Sequence, residues 1–125
     1  MNVFCLRQVL GCHAQPTTAG EKWSSHYPHA DGNGCSCYNN LGAYCATSCA
    51  SSSNIRNHEV HSHYGRGFIR ATCSHGNFVL GCGIKPLKTN GLAEGWRGYY
   101  VQSVDSCLCY DIVGATCYAI CGQII

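Results

Sequence analysis

Thiols and imidazoles are the groups in this sequence whose number and spacing could do chemistry, with 12 cysteines and seven histidines among 125 residues. The cysteines repeat one spacing, C-x-C-x7-C-x3-C, which spans residues 35–49 and again residues 107–121. Thiols arranged in this way could ligate a metal ion, act as nucleophiles or form disulfides. These three roles would indicate a metal-binding protein, an enzyme or a disulfide-stabilised scaffold, respectively.

Disulfides are the role that the spacing favours. Zinc sites prefer C-x2-C pairs, and C-x-C is a poorer chelating loop. A nucleophilic cysteine usually stands alone, whereas each cysteine here has a counterpart in the other half of the chain. C-x-C, and C-x3-C in a continuous strand, place both side chains on one face, so two such pairs on facing strands could be joined by two bridges. We predict six disulfides, three within each half, formed by Cys5, Cys12, Cys35, Cys37, Cys45, Cys49, Cys73, Cys82, Cys107, Cys109, Cys117 and Cys121.

The cysteine pattern belongs to a longer internal repeat. Successive gaps are 6, 22, 1, 7 and 3 residues in the first half and 8, 24, 1, 7 and 3 in the second. The sequence "VLGC" ends at Cys12 and again at Cys82, Glu-x-Trp occurs once in each half, and Tyr27 aligns with Tyr100. Agreement at so many positions predicts two copies of one six-cysteine module.

The elements that must position these residues are predicted to be strands. Several segments are short, aromatic or β-branched and bounded by Gly or Asn, at 76–82, 98–104, 106–112 and 115–121. No window shows a sustained helical period. The predicted fold is all-β, with a first module at 1–49, a Ser/His-rich connector with a predicted strand at 50–65, and a second module at 66–125.

Composition narrows the class of protein. A net charge of +2 and the lack of any Lys/Arg run argue against nucleic acid as a partner. No apolar stretch approaches the roughly 20 residues that cross a bilayer, so no membrane insertion is expected. The even, high cysteine count is typical of an oxidising compartment and indicates a secreted protein, in which Met1 is interpreted as replacing a removed leader.

The second half carries a family resemblance. "ATCSHGNFVLGC" at 71–82, followed by "GW", "CLC" and "VGATC", resembles the cysteine-rich head of the resistin family. It is also similar to the modules of the Cys/His-rich C-terminal domain of the proprotein convertase that targets the low-density-lipoprotein receptor. The resemblance implies jelly-roll-like modules, secretion, protein–protein contact and self-association as a homo-oligomer. Both families end in adjacent cysteines where this chain has C-x3-C, so the disulfide connectivity stays open.

The histidines break the repeat, because none has a histidine at its equivalent position. His26 aligns with Tyr99, and His13 aligns with Gly83. A residue needed for the module scaffold should recur in both copies, and these do not. They are therefore interpreted either as solvated surface residues or as functional groups, in a metal site or a pH-sensitive contact.

A metal site is the specific alternative for the histidine-rich connector. Strand alternation places His61 and His63 on one face, where a third imidazole could complete a Zn²⁺ or Cu²⁺ site. The candidate ligands are His26, His29, His58, His61, His63 and His75.

The tyrosines provide a different candidate surface. Tyr27, Tyr99 and Tyr100 lie shortly after the tryptophans of the two halves and are expected to be partly exposed anchors for a protein or glycan. No catalytic residue is predicted, since no G-x-S-x-G, P-loop or dinucleotide motif occurs and no nucleophile with its base can be assembled. The predicted function is secreted, non-enzymatic recognition of an extracellular protein or glycan, as a ligand, matrix component or defence factor. The alternatives are a histidine-based Zn/Cu-binding protein and a glycan-binding lectin.

Overall fold

The computed structural model describes residues 2–6, 8–16, 25–38, 43–50, 55–87 and 97–124. In these parts of the chain all regular structure is β, which confirms the predicted class. No helix long and apolar enough to cross a membrane occurs among them. The strands are β1 (Asn2–Phe4), β2 (Val9–Pro16), β3 (Ser25–Pro28), β4 (Gly34–Tyr38), β5 (Ala43–Cys49), β6 (Ile55–Thr72), β7 (Phe78–Pro86), β8 (Arg97–Ser103) and β9 (Ser106–Ile124).

The predicted strand segments all contain strands, with two differences in their bounds. The segment predicted at 76–82 starts as a turn, because Gly76 has a φ of 88° and the Asn77 N–H donates to the Ser74 carbonyl. The segments at 106–112 and 115–121 belong to one strand, β9. Residues 55–65 of the predicted connector are the first part of β6 and pair with residues 115–124 of β9.

The strands form two sheets. Seven of them make one sheet in the order β1-β4-β3-β7-β9-β6, with β8 added to β9, and β2 and β5 make a separate pair. Strand β3 of the first half pairs with β7 of the second half, through His26 and Ile84. The halves therefore share a sheet.

Strand pairing follows the same register in both halves. In the first half Val9 pairs with Cys49, and in the second Val79 pairs with Cys121. His26 pairs with Cys37 in β3 and β4, just as Tyr99 pairs with Cys109 in β8 and β9. A residue of one half can therefore be compared directly with its equivalent in the other.

All twelve cysteines form disulfides, three within each half, which confirms the structural role of the thiols. In each half the first cysteine pairs with the sixth, the second with the third and the fourth with the fifth, as Cys5–Cys49, Cys12–Cys35, Cys37–Cys45, Cys73–Cys121, Cys82–Cys107 and Cys109–Cys117. In each half, only one bridge joins the C-x-C pair to the C-x3-C pair. The prediction that two bridges could join these pairs is wrong. In the second half, Cys107 bonds to Cys82 in β7, and Cys121 bonds to Cys73, which follows β6.

The loop closed by Cys109–Cys117 shows how the core of the second half is formed. Eight residues of extended strand would span about 26 Å, yet the Cα atoms of Cys109 and Cys117 are 5.7 Å apart. Strand β9 folds back between them, where the Asp111 carboxylate accepts hydrogen bonds from the N–H groups of Val113 and Gly114. Gly114 has a φ of 132°, a value that favours glycine. The result is a small core of half-cystines with a few aliphatic side chains, among them Ile69 and Ile84.

Candidate ligand-binding cleft between the two halves

The contact between β3 and β7 depends on a glycine. A Cβ atom added to Gly83 would lie 2.8 Å from the His26 carbonyl oxygen and 3.0 Å from the Tyr27 Cα. Only glycine allows the two backbones to approach so closely. Here the two halves are in direct contact.

Tyr27 is covered at this closed contact. Its ring stacks on Tyr118, with centroids 5.4 Å apart and an interplanar angle of 20°. The Lys85 ammonium lies 5.3 Å from the centre of the Tyr27 ring, within cation–π range. Tyr27 was predicted as part of a binding surface, and its place in the structure is this contact between the halves.

The corresponding strands of the opposite halves, β2 and β8, do not pair with each other among the described residues. By the common register, β8 corresponds to β3 and β2 corresponds to β7, with His13 in the place of Gly83. Among the described strands, β8 pairs only with β9 and β2 only with β5. Because His13 carries the Cβ that the closed contact excludes, β2 cannot lie on β8 as β7 lies on β3.

A cleft separates β2 from β8 instead. Its volume is about 310 Å³, which is at the lower end of the range for small-ligand sites. Within the described parts of the chain it is lined by Leu10, Gly11, Cys12, His13, His26, Ser48, Leu80, Gly81, Cys82, Tyr99, Tyr100 and Val101. None of these lining residues is Lys, Arg, Asp or Glu, so the walls are polar and apolar without fixed charge.

His26 and Tyr99 meet at this cleft. The Tyr99 hydroxyl is hydrogen bonded to His26 Nε2, and the two rings are perpendicular with centroids 4.6 Å apart. Burial lowers the pKa of His26 to about 4, with a further contribution from His13, so the imidazole is neutral at neutral pH. Its Nδ1 atom is buried and has no hydrogen-bond partner within the described structure. Burial also raises the pKa of Tyr99.

The rim of the cleft combines an aromatic ring with hydrogen-bonding groups. Tyr100 occupies the position of Tyr27 but is 54% exposed. His13 Nε2 lies 3.1 Å from the Ser48 hydroxyl, and both side chains are exposed. The cleft can therefore offer a partner a ring face and polar groups at once.

The histidines proposed as metal ligands are not brought together. His29 contacts the Ser36 hydroxyl at 2.8 Å, and His58 Nε2 donates to the Val9 carbonyl at 2.7 Å. His63 and His75 are exposed. Across the described residues, no group of three His, Cys, Asp or Glu side chains is arranged to hold a metal ion.

His61 belongs to a hydrogen-bonded cluster around Glu59 that sequence reasoning missed. The Glu59 carboxylate accepts hydrogen bonds from the Asn77 amide at 2.6 Å and from the Ser74 N–H and hydroxyl, and it lies 2.9 Å from His61 Nε2. Burial acts to raise the pKa of Glu59, but the hydrogen bonds outweigh it and lower the pKa to about 2. The cluster ties β6 to the turn before β7 and is a structural feature.

Comparison with protein-family models, with curated proteins and with solved structures finds no match to this chain. The likeness to the resistin head thus rests on the cysteine and glycine motifs alone. The signal that could have located the cleft lay in the internal repeat, where His13 stands against Gly83 and His26 against Tyr99. The paired Glu-x-Trp motifs lie outside the described residues.

Proposed function

We propose that this chain is a secreted, non-enzymatic recognition protein that holds its partner in the cleft between β2 and β8. Six disulfides and an all-β fold are consistent with an extracellular protein. The resemblance to the resistin head supports a role in contact with other macromolecules. No catalytic step is needed to account for the groups that line the cleft.

The observation that carries this proposal is the difference between Tyr27 and Tyr100. Both tyrosines occupy the same position in the repeat, but Tyr27 is covered by Tyr118 and Lys85 whereas Tyr100 stands exposed beside an open cleft. Exposed tyrosines in concave sites are frequent anchors, because a rigid amphipathic ring buries much area at little entropic cost. Tyr100 is the side chain on which a partner would be expected to pack.

The cleft also limits the chemistry of the partner. Its described walls have no charged side chain, and the buried His26 imidazole is neutral at neutral pH. Desolvating a charged group against such walls would be unfavourable. The groups that lie against these walls are therefore expected to be uncharged, such as a peptide backbone or neutral sugars, and any charged side chain of the partner should stay at the exposed rim beside Tyr100.

A paired substitution tests the function. Arrays of extracellular proteins and of glycans are probed with the folded chain, with Tyr100→Ala and with Tyr44→Ala, a matched tyrosine that is 67% exposed outside the cleft lining. We expect Tyr100→Ala to weaken binding of the true partner about tenfold or more, the size of loss typical of an anchor residue. Tyr44→Ala should leave binding unchanged. A partner that binds both variants equally would place recognition elsewhere.

A further inference from the structure

The edge of β8 that faces the cleft has a counterpart in the first half, the outer edge of β3, and that edge already holds a strand. In the first half, β7 lies on the outer edge of β3, with Ile84 opposite His26. The antiparallel register then sets Gly83 against Tyr27. The glycine provides the space for close approach, and Lys85 reaches over the Tyr27 ring. The structure thus shows what kind of segment this edge accepts.

In the second half, no other described strand pairs with the corresponding outer edge of β8. Strand β8 has the backbone register of β3 relative to its neighbour, with Tyr99 and Tyr100 where β3 has His26 and Tyr27. Its pairing among the described strands is with β9 alone, and three of its residues line the cleft. An unpaired edge of this kind presents free N–H and C=O groups to an incoming strand.

Neither β2 nor a second copy of this chain fits that edge in the same way. Strand β2 has His13 at the position where β7 has Gly83, and a Cβ there would collide with the backbone of the edge strand. Every copy has the same β2, and its β7 is already held by its own β3. A segment that pairs with β8 as β7 pairs with β3 is therefore expected to come from a different protein.

We propose that β8 binds an extended segment of a partner protein by strand addition, with a glycine of that segment opposite Tyr100. This inference rests on the proposed function and specifies its partner. In analogy to Gly83-Ile84-Lys85, the residue after the glycine is apolar and lies opposite Tyr99, and the next is a lysine that reaches the Tyr100 ring. Main-chain hydrogen bonds supply affinity in such complexes, and the side chains at alternate positions supply specificity.

A short peptide provides the probe. It copies residues 80–86 with Cys82→Ser, carries a fluorophore, and is titrated with the folded full-length chain while anisotropy is recorded. We expect saturable binding. A matched peptide with the additional change Gly83→His should bind at least tenfold more weakly, because it introduces the side chain that holds β2 away from β8. Removing the lysine by Lys85→Ala in the peptide should weaken binding a few-fold, as expected for an exposed cation–π contact.

Variants of the protein and amide exchange locate the peptide. Tyr100→Ala should weaken binding of the parent peptide about tenfold, Tyr44→Ala should not, and bound peptide should slow exchange of the β8 amides. Equal binding of the glycine and histidine peptides, or no binding by either, would overturn strand addition. If the peptides fail while array binding still depends on Tyr100, the cleft function stands with a glycan or another ligand. If array binding is also insensitive to Tyr100, the proposed function fails as well.

Discussion

The imidazole of His26 and the hydroxyl of Tyr99, which occupy equivalent positions in the two halves, are hydrogen bonded to each other at the cleft. A repeat of identical modules would place two like side chains here. In this chain the pair is complementary, with a buried imidazole on one side and a half-buried phenol on the other. The contact joins the halves and forms part of the cleft lining.

Acid is predicted to destabilise the fold through His26. Its pKa falls from 6.5 to about 4 on folding, so between these values the unfolded chain binds the proton more readily and stability declines as the pH falls. At about 1.4 kcal/mol for each unit of pKa, the full loss is about 3 kcal/mol. Urea unfolding between pH 7 and pH 4 measures it, and His26→Gln should lack this component. A variant with the same pH dependence as the parent would exclude His26 as the cause.

Substitution of Gly83 is predicted to destabilise the fold by disrupting the close contact between β3 and β7. Gly83→Ala puts a Cβ within 2.8 Å of the His26 carbonyl oxygen, and overpacking of this kind costs about 1–3 kcal/mol. Alanine at the equivalent position of the first half, in His13→Ala, adds no Cβ and should cost well under about 1 kcal/mol because the side chain is exposed. Urea midpoints of the two variants give the comparison. Similar losses at both positions would show that the close approach at Gly83 is unimportant.

The hydrogen-bonded carboxylate of Glu59 is predicted to stabilise the turn before β7 only while it is ionised. Its pKa is lowered from 4.5 to about 2, so its contribution is complete above pH 4.5 and declines as the pH falls from 4.5 towards 2. Glu59→Gln should lower the unfolding free energy at pH 7 by about 1–2 kcal/mol. The deficit should be smaller at pH 3. An equal deficit at both pH values would contradict the role of the charge.

Disulfides that close long loops are predicted to stabilise the fold more than those that close short ones. The sequence separation is 48 residues for Cys73–Cys121 and 8 for Cys109–Cys117. Loop-closure entropy gives about 4 kcal/mol for the first and about 2.5 kcal/mol for the second. Double alanine variants compared by urea unfolding test this order. A larger loss from the short loop would indicate that its cost arises from the fold-back of β9 in the native state.

The strands and the role of the thiols could be predicted from sequence, because both depend on local chemistry. Aromatic and β-branched segments bounded by Gly or Asn favour strands wherever they occur. Twelve cysteines in a small chain are typical of a disulfide scaffold. The internal repeat also aligned His26 with Tyr99, and these residues occupy the same register position in the structure.

The cleft and the disulfide connectivity depended on long-range packing. The spacing of the cysteines alone did not determine the disulfide partner of Cys107. In the structure Cys107 bonds to Cys82, and β9 folds back so that Cys109 bonds to Cys117. The difference between His13 and Gly83 was visible in the sequence, but its effect on the distance between two strands was not. A single Cβ separates two strands only if those strands face each other, and that arrangement is set by the packing of one half against the other.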